Sequence, residues 1–360
     1  MKILHLDEQR GWRGGEQQAS YLIRHSVSRG HEVFLAGRAG SPFLTREHGA
    51  ADARRIGLPF RGEVDVFTAR RIAQVVRAEG IDILHAHTSH AHGIACIARA
   101  WAGSGKVIVS RRVDFVPKKH ALNRLKYRLP DQYIAISKPV ADVLLKFGVP
   151  ESKIAIVHSG IDPERLEVPA LSRAELEIPD DALLLGNVAA LVGHKDQATL
   201  IAAMPEVLAA VPKAYLLIAG EGDKRVELEN QIRELGLKDR VRLLGYRDDV
   251  PNLLRTFDMF VMSSREEGLG TSILDAMSCE LPVVATAAGG IPDVVTNETT
   301  GLLVPTETPG ALAAAIVRLA EDPPLASRLA TQARRRVLER FTATRMAEGN
   351  LRVYETLLNP

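Results

Sequence analysis

Short apolar runs alternate with longer amphipathic ones along the chain. Lys2–Leu6 reads as a buried strand, and Glu16–Arg29 follows with Ala19, Leu22, Ile23 and Val27 at helical spacing. Gly30-His31 closes that helix, and Glu32–Ala36 is the next strand. The strand pattern returns at Ile81–His85, Lys106–Ser110, Gln132–Ile136 and Lys153–Val157. A β-α-β repetition of this kind predicts a parallel sheet covered by helices on both faces.

A Pro- and acid-rich stretch from Asp162 to Asp181 interrupts the rhythm, which then restarts. Strands are predicted at Leu183–Val188, Tyr215–Ala219, Val241–Leu244, Met259–Met262 and Pro282–Ala285. Helices are predicted at Gln197–Ala210, Lys224–Leu235 and Ser272–Cys279, with a final helix over Ala343–Leu358. The expected division is residues 1–165 plus 343–360 in one Rossmann-like domain and residues 166–342 in a second. In such sheets ligands sit at the carboxyl ends of the strands, where chain direction switches. For two such domains face to face, the cleft between them is the default site.

Composition narrows the class. A chain of 360 residues suits two domains of ordinary size. Lys plus Arg number 46 against 44 Asp plus Glu, so overall charge gives no argument for nucleic acid. The two cysteines, Cys96 and Cys279, lie in apolar helical contexts, as buried thiols of a reducing cytoplasm do. The apolar run at the N-terminus is too short for a signal peptide, and no stretch approaches a membrane span. A cytoplasmic protein is expected.

The run Ser264-Arg265-Glu266-Glu267-Gly268-Leu269-Gly270-Thr271-Ser272-Ile273-Leu274-Asp275-Ala276-Met277 carries the most chemistry. It puts an acid, two glycines and two hydroxyls ahead of an apolar helix, and a second acid on that helix. Glycines let a phosphate approach the backbone, and the helix start favours an anion. A carboxylate suits sugar hydroxyls better than phosphate. Asp275 also fits a capping box with Ser272 as N-cap.

Glu267 and Asp275 are followed by Pro282-Val283-Val284-Ala285-Thr286 and Gly289-Gly290-Ile291-Pro292-Asp293-Val294-Val295. Gly14-Gly15, Asp82-Ile83-Leu84-His85-Ala86-His87, Ala135-Ile136-Ser137, His158-Ser159-Gly160-Ile161-Asp162, Leu244–Val250 and Thr300–Pro305 accompany them in order. Taken together this resembles the retaining glycosyltransferases of family 4, which have the GT-B fold of two facing Rossmann-like domains. The resemblance implies a transferase moving a hexose-type sugar from a nucleotide-diphospho-sugar, a UDP-sugar by expectation, to a polysaccharide, lipopolysaccharide or glycolipid acceptor. It makes Lys195, in Val192-Gly193-His194-Lys195-Asp196, the diphosphate lysine and Glu267 the acid nearest the transferred sugar. Asp275 takes the ribose position, with Asp where the family usually has Glu. Gly14, Gly15, Gly268, Leu269, Gly270 and Thr271 are expected to approach the donor, and Tyr246 and Arg247 to lie in the base-binding loop. No Asp-x-Asp occurs, so metal-free neutralisation of the leaving diphosphate is expected.

The chain departs from the resemblance in places. The family commonly has an Arg five residues before the diphosphate lysine; here the position is Ala190, with His194 or Arg265 as candidate substitutes. Arg112 stands where many members have a histidine, and an arginine cannot act as a base at neutral pH. His87, Arg111 and Arg112 are therefore read as acceptor-side residues. His85, His87, His90 and His92 crowd one strand end, without the acidic or cysteine partner a metal site would favour. Residues 106–128 hold Lys106, Arg111, Arg112, Lys118, Lys119, Arg124, Lys126 and Arg128 against Asp114, either a solvated face or a dock for an anionic membrane. Three further readings stay open: a GT-B UDP-sugar epimerase, a catalytically inactive nucleotide-sugar-binding partner, and, more weakly, a dehydrogenase. For the last, Gly220-Glu221-Gly222 lacks the third glycine of the dinucleotide fingerprint.

Overall fold

A computed structural model describes residues 1–113, 116–117 and 120–359. It falls into two compact units, one of Met1–Gly160 with the C-terminal helix, the other Ile161–Thr342.

The first unit is built on seven strands: β1 Lys2–Asp7, β2 Glu32–Arg38, β3 Arg54–Leu58, β4 Ile83–Ala86, β5 Lys106–Arg111, β6 Gln132–Ala135 and β7 Ile154–Ile156. Every pairing is parallel, in the order β3-β2-β1-β4-β5-β6-β7. β1 is buried from Ile3 to Asp7, as a central parallel strand covered on both faces must be. β3 escapes the hydrophobic pattern because Arg54-Arg55-Ile56-Gly57-Leu58 is a largely unburied edge strand pairing only with β2. The C-terminal helix Ala343–Leu358 packs on the helix Gly14–Ser28 and buries Met346, Leu351 and Tyr354 with Ile3, Tyr21 and Leu22.

The second unit has β8 Leu183–Val188, β9 Ala214–Ala219, β10 Val241–Gly245, β11 Met259–Met262, β12 Val283–Thr286 and β13 Leu302–Val304, all parallel in the order β10-β9-β8-β11-β12-β13. Leu200, Met204 and Val207 of the helix Gln197–Ala210 pack in the same core as Leu216, Ile218 and Val261 of the sheet. Residues 161–165, expected with the first unit, lie in the second: Ile161 bridges to Thr342, and Arg165 pairs with Asp275. Both sheets reverse strand order beside their first strand, between β1 and β4 and between β8 and β11. The loops leaving those strands are where a doubly wound sheet binds ligands.

Candidate active site

In the second unit β8 runs into Ala189-Ala190-Leu191 and the turn Gly193–Lys195. Gly220 and Gly222 let that loop lie directly against the chain leaving β9. A Cβ on Gly220 would stand 1.9 Å from the Ala189 oxygen, and one on Gly222 2.1 Å from the Leu191 oxygen. The glycine pair that suggested a dinucleotide fingerprint therefore serves backbone packing here. Lys224 N–H donates to the Leu191 oxygen at 3.0 Å, tightening the same contact.

Lys195 Nζ is ion-paired with Glu267 Oε2, both side chains largely buried. The loop carrying Glu267 is tied down on three sides. Arg265 N–H donates to the His194 oxygen at 2.8 Å, Thr286 Oγ1 to the Ser264 oxygen at 2.5 Å, and Gly290 N–H to the Glu267 oxygen at 2.8 Å. Arg265 Nη2 also donates to the Gly193 oxygen at 2.8 Å, so this guanidinium sits on the lysine turn. Leu269 is buried and anchors the loop, which passes from Gly268 to Gly270. Gly270, at φ +89°, is the N-cap of the helix Thr271–Ser278. Its N-terminus thus follows directly from the Lys195–Glu267 pair.

The capping box expected of Ser272 and Asp275 does not form, because the N-cap is Gly270, two residues earlier. Asp275 instead accepts from Arg165 Nη2 at 2.7 Å. Burial raises the Asp275 carboxyl pKa, and Arg165 opposes that shift. Nothing in the sequence connects Arg165 with Asp275 across 110 positions. Arg247 is held by Asp249, Nε to Oδ1 at 2.7 Å, while Tyr246 is exposed. His194 is exposed, and its main-chain oxygen accepts from Arg265.

In the first unit Gly14 and Gly15 open the helix Gly14–Ser28, and Arg112 Cδ lies 3.6 Å from where a Gly15 Cβ would be. Arg112 Nη2 donates to His87 Nδ1 at 3.4 Å, and His87 Nε2 meets His5 Nδ1 at 2.9 Å. Arg111 parts from these: it is buried, with Nη1 donating to the Tyr127 hydroxyl at 3.2 Å. Asp7, at the end of β1, is fully buried; Oδ1 accepts from Gln9 N–H at 2.8 Å. Burial, then the nearby Glu16, pushes its carboxyl up to about 8.

The histidines regroup. His5 joins His85 and His87, their ligand atoms within 4.8 Å of one another, a group that could hold a metal ion among the described residues. Five of their six nitrogens are engaged within the fold, His85 bonding the Tyr354 hydroxyl and, at 2.8 Å, Ser110 Oγ, whereas His5 Nε2 is buried without a hydrogen-bond partner among the described residues. Burial lowers all three pKa values, His5 to about 3, so the imidazoles are neutral. His90 lies 3.7 Å from Glu8, and His92 bonds the Lys126 oxygen at 3.1 Å. Lys126 Nζ is itself bound to the Ser89 oxygen at 2.8 Å, whereas Arg124 and Arg128 are exposed. Asp114, Lys118 and Lys119 of the basic segment lie outside the described residues. Cys96 and Cys279 are buried thiols, pushed by burial up to about 12 and about 11. Among the described residues no helix is long and apolar enough to cross a membrane.

Family models match both halves of the chain: Glycosyltransferase Family 4 over residues 12–165 and Glycosyl transferases group 1 over residues 170–336. The chain is similar to an N-acetyl-alpha-D-glucosaminyl L-malate synthase of Bacillus anthracis, 26% identical over 82% of this chain and 80% of that protein. It is also similar to the lipopolysaccharide core biosynthesis glycosyltransferase LpsE of Rhizobium meliloti, 27% identical over 94% of this chain and 95% of that protein. Among solved structures, Anabaena Alr3699/HepE in complex with UDP superposes with a TM-score of 0.86 at 22% identity, covering 99% of this chain and 100% of that one. The same protein was also solved with UDP-glucose. With both family models matched in order along the chain, it belongs to glycosyltransferase family 4 and has the GT-B fold.

Proposed function

We propose that this chain is a retaining, metal-independent glycosyltransferase. It transfers a hexose-type sugar from a nucleotide-diphospho-sugar, a UDP-sugar, to a polysaccharide, lipopolysaccharide or glycolipid acceptor. The observation that carries the proposal is the Lys195–Glu267 pair beside the N-terminus of the helix Thr271–Ser278. As the bond to the leaving diphosphate breaks, negative charge grows on the phosphate and positive charge on the sugar ring. An ammonium has three donors. Lys195 can keep one on Glu267 and turn the others to the leaving phosphate, where the free N–H groups at the helix start add to it. Glu267 accepts from a hexose hydroxyl and steadies the cationic ring. Asp275, steered by Arg165, receives the ribose hydroxyls. The UDP-sugar choice leans on the UDP and UDP-glucose complexes of the Anabaena protein, and the acceptor class on the lipopolysaccharide enzyme of Rhizobium meliloti.

A thermal-shift screen against UDP-, GDP- and ADP-sugars tests the donor. A ligand at a hundredfold its Kd adds about 2.7 kcal/mol to stability. A shift with UDP-sugars alone is expected, and a shift with GDP- or ADP-sugars alone would reassign the donor. Turnover should be unchanged by EDTA, and NMR should find the product anomer matching the donor anomer. Loss of activity with EDTA, or an inverted anomer, removes that part of the proposal.

A further inference from the structure

Two adjoining cavities open at the carboxyl ends of β1, β2 and β3. One of ≈ 330 Å³ is lined by Glu8, Arg10, Arg13, Glu16, Arg38 and His90. The other, of ≈ 560 Å³, shares Arg10 and Arg38 and is otherwise walled by small residues such as Gly40, Ser41 and Gly57. We propose that these cavities form an anion-binding subsite for the acceptor, with Arg10, Arg13 and Arg38 gripping a phosphate group on the acceptor saccharide. The inference rests on the glycosyltransferase reading and names the acceptor chemistry it left open.

The charges decide the sign. Three guanidiniums face two carboxylates, and both carboxylates already have donors. Glu8 is buried, accepting from Thr88 Oγ1 and from Ala91 N–H at 3.3 Å. Glu16 is buried and accepts from Arg13 N–H at 2.7 Å. Arg38 is set in place: Nε donates to the Glu8 main-chain oxygen at 2.8 Å and Nη1 to the Pro59 main-chain oxygen at 2.9 Å. This fixes the guanidinium plane and leaves Nη2 for a ligand. The guanidiniums of Arg10 and Arg13 are exposed and enter no ion pair among the described residues. A planar, always-charged fork that is partly immobilised suits bidentate phosphate recognition. The larger cavity leaves room for the sugar that carries it.

The test uses the full chain saturated with UDP, titrated by calorimetry with glucose 6-phosphate and with glucose at low salt. Glucose 6-phosphate should bind at least about tenfold more tightly than glucose, the scale of one charge-assisted hydrogen bond. Arg10→Ala should weaken only the phosphorylated sugar, and Arg10→Ala with Arg38→Gln should abolish the preference while UDP affinity stays unchanged. Equal binding of the two sugars, no binding of glucose 6-phosphate, or a preference that survives the double substitution overturns the proposal. Failure of the unsubstituted chain to bind UDP would instead count against the donor reading. Arg10→Ala touches an exposed side chain, so its result stands even if the double variant misfolds.

Discussion

At the scale of single residues, the donor chemistry turns on Glu267. It meets Lys195, 72 positions away, through a short loop fixed by Thr286 and Gly290. Glu267→Ala should lower kcat by about a hundredfold or more, the scale of losing one pre-organised polar group in a transition state. Circular dichroism and melting should show an intact fold, since the loop's main-chain ties survive. Near-normal turnover would take Glu267 out of the mechanism. Arg165 makes a different prediction. Arg165→Met leaves a buried Asp275 carboxylate without its ion-pair partner, which costs about 3–5 kcal/mol for a fully enclosed pair. Arg165 is one-third exposed, so a smaller loss of about 2 kcal/mol is expected. Asp275→Asn should be milder, because it removes the buried charge itself. A urea series on the two variants reads the difference, and Asp275→Asn proving the more damaging would overturn this account.

At the scale of elements, the loops matter more than the strands. Gly220 and Gly222 hold the turn bearing Lys195 through backbone contact that no side chain could share. Gly222→Ala must push Leu191 away, with an overpacking cost of about 1–3 kcal/mol. It should also lower activity further than an equally destabilising core substitution such as Ile316→Val, because it shifts Lys195. Equal activity in the two variants would separate the glycine from the site. The strand and helix rhythm was legible because buried parallel strands are continuous apolar runs. It failed at β3, which is arginine-rich and at an edge, and at β13, a run of three residues after Gly301. The candidate site was legible as a set of residue types: a lysine turn, an acid, glycines and a helix start. The pairings were not legible. The approach of Arg165 to Asp275, and of His5 to His87 with Arg112 alongside, depends on which loops the sheet order brings together, and hydrophobic periodicity carries no such information.

At the scale of the whole molecule, buried titratable groups set how stability follows pH, and most of them lie in the first unit. His5, His85, His87 and His92 are held neutral by burial, His5 and His92 down to about 3. Below the unfolded value of 6.5 the unfolded chain takes protons that the folded chain refuses. Each such imidazole then removes up to about 1.4 kcal/mol of stability per pH unit of acidification. Asp7 acts in the opposite sense: its folded carboxyl titrates at about 8 against 3.8 unfolded, so its contribution is complete in acid and is lost as pH rises toward 8. Glu8, also raised, adds to that side. Between pH 6.5 and 5 four imidazoles outweigh two carboxyls, so stability falls on acidification. Between pH 7 and 8 the unfolded imidazoles lose their remaining protons, so their effect fades and Asp7 makes stability decline gently. The optimum is therefore expected near pH 7, with the steeper flank on the acid side. Both tryptophans, Trp12 and Trp101, lie in the first unit, so urea unfolding followed by their fluorescence reports on the right part of the molecule. Asp7→Asn should flatten the alkaline flank and steepen the acid one, because between the unfolded 3.8 and the folded value of about 8 Asp7 opposes the imidazoles. A symmetric profile, or an alkaline flank unchanged by that substitution, would mean that Asp7 is already ionised in the folded chain.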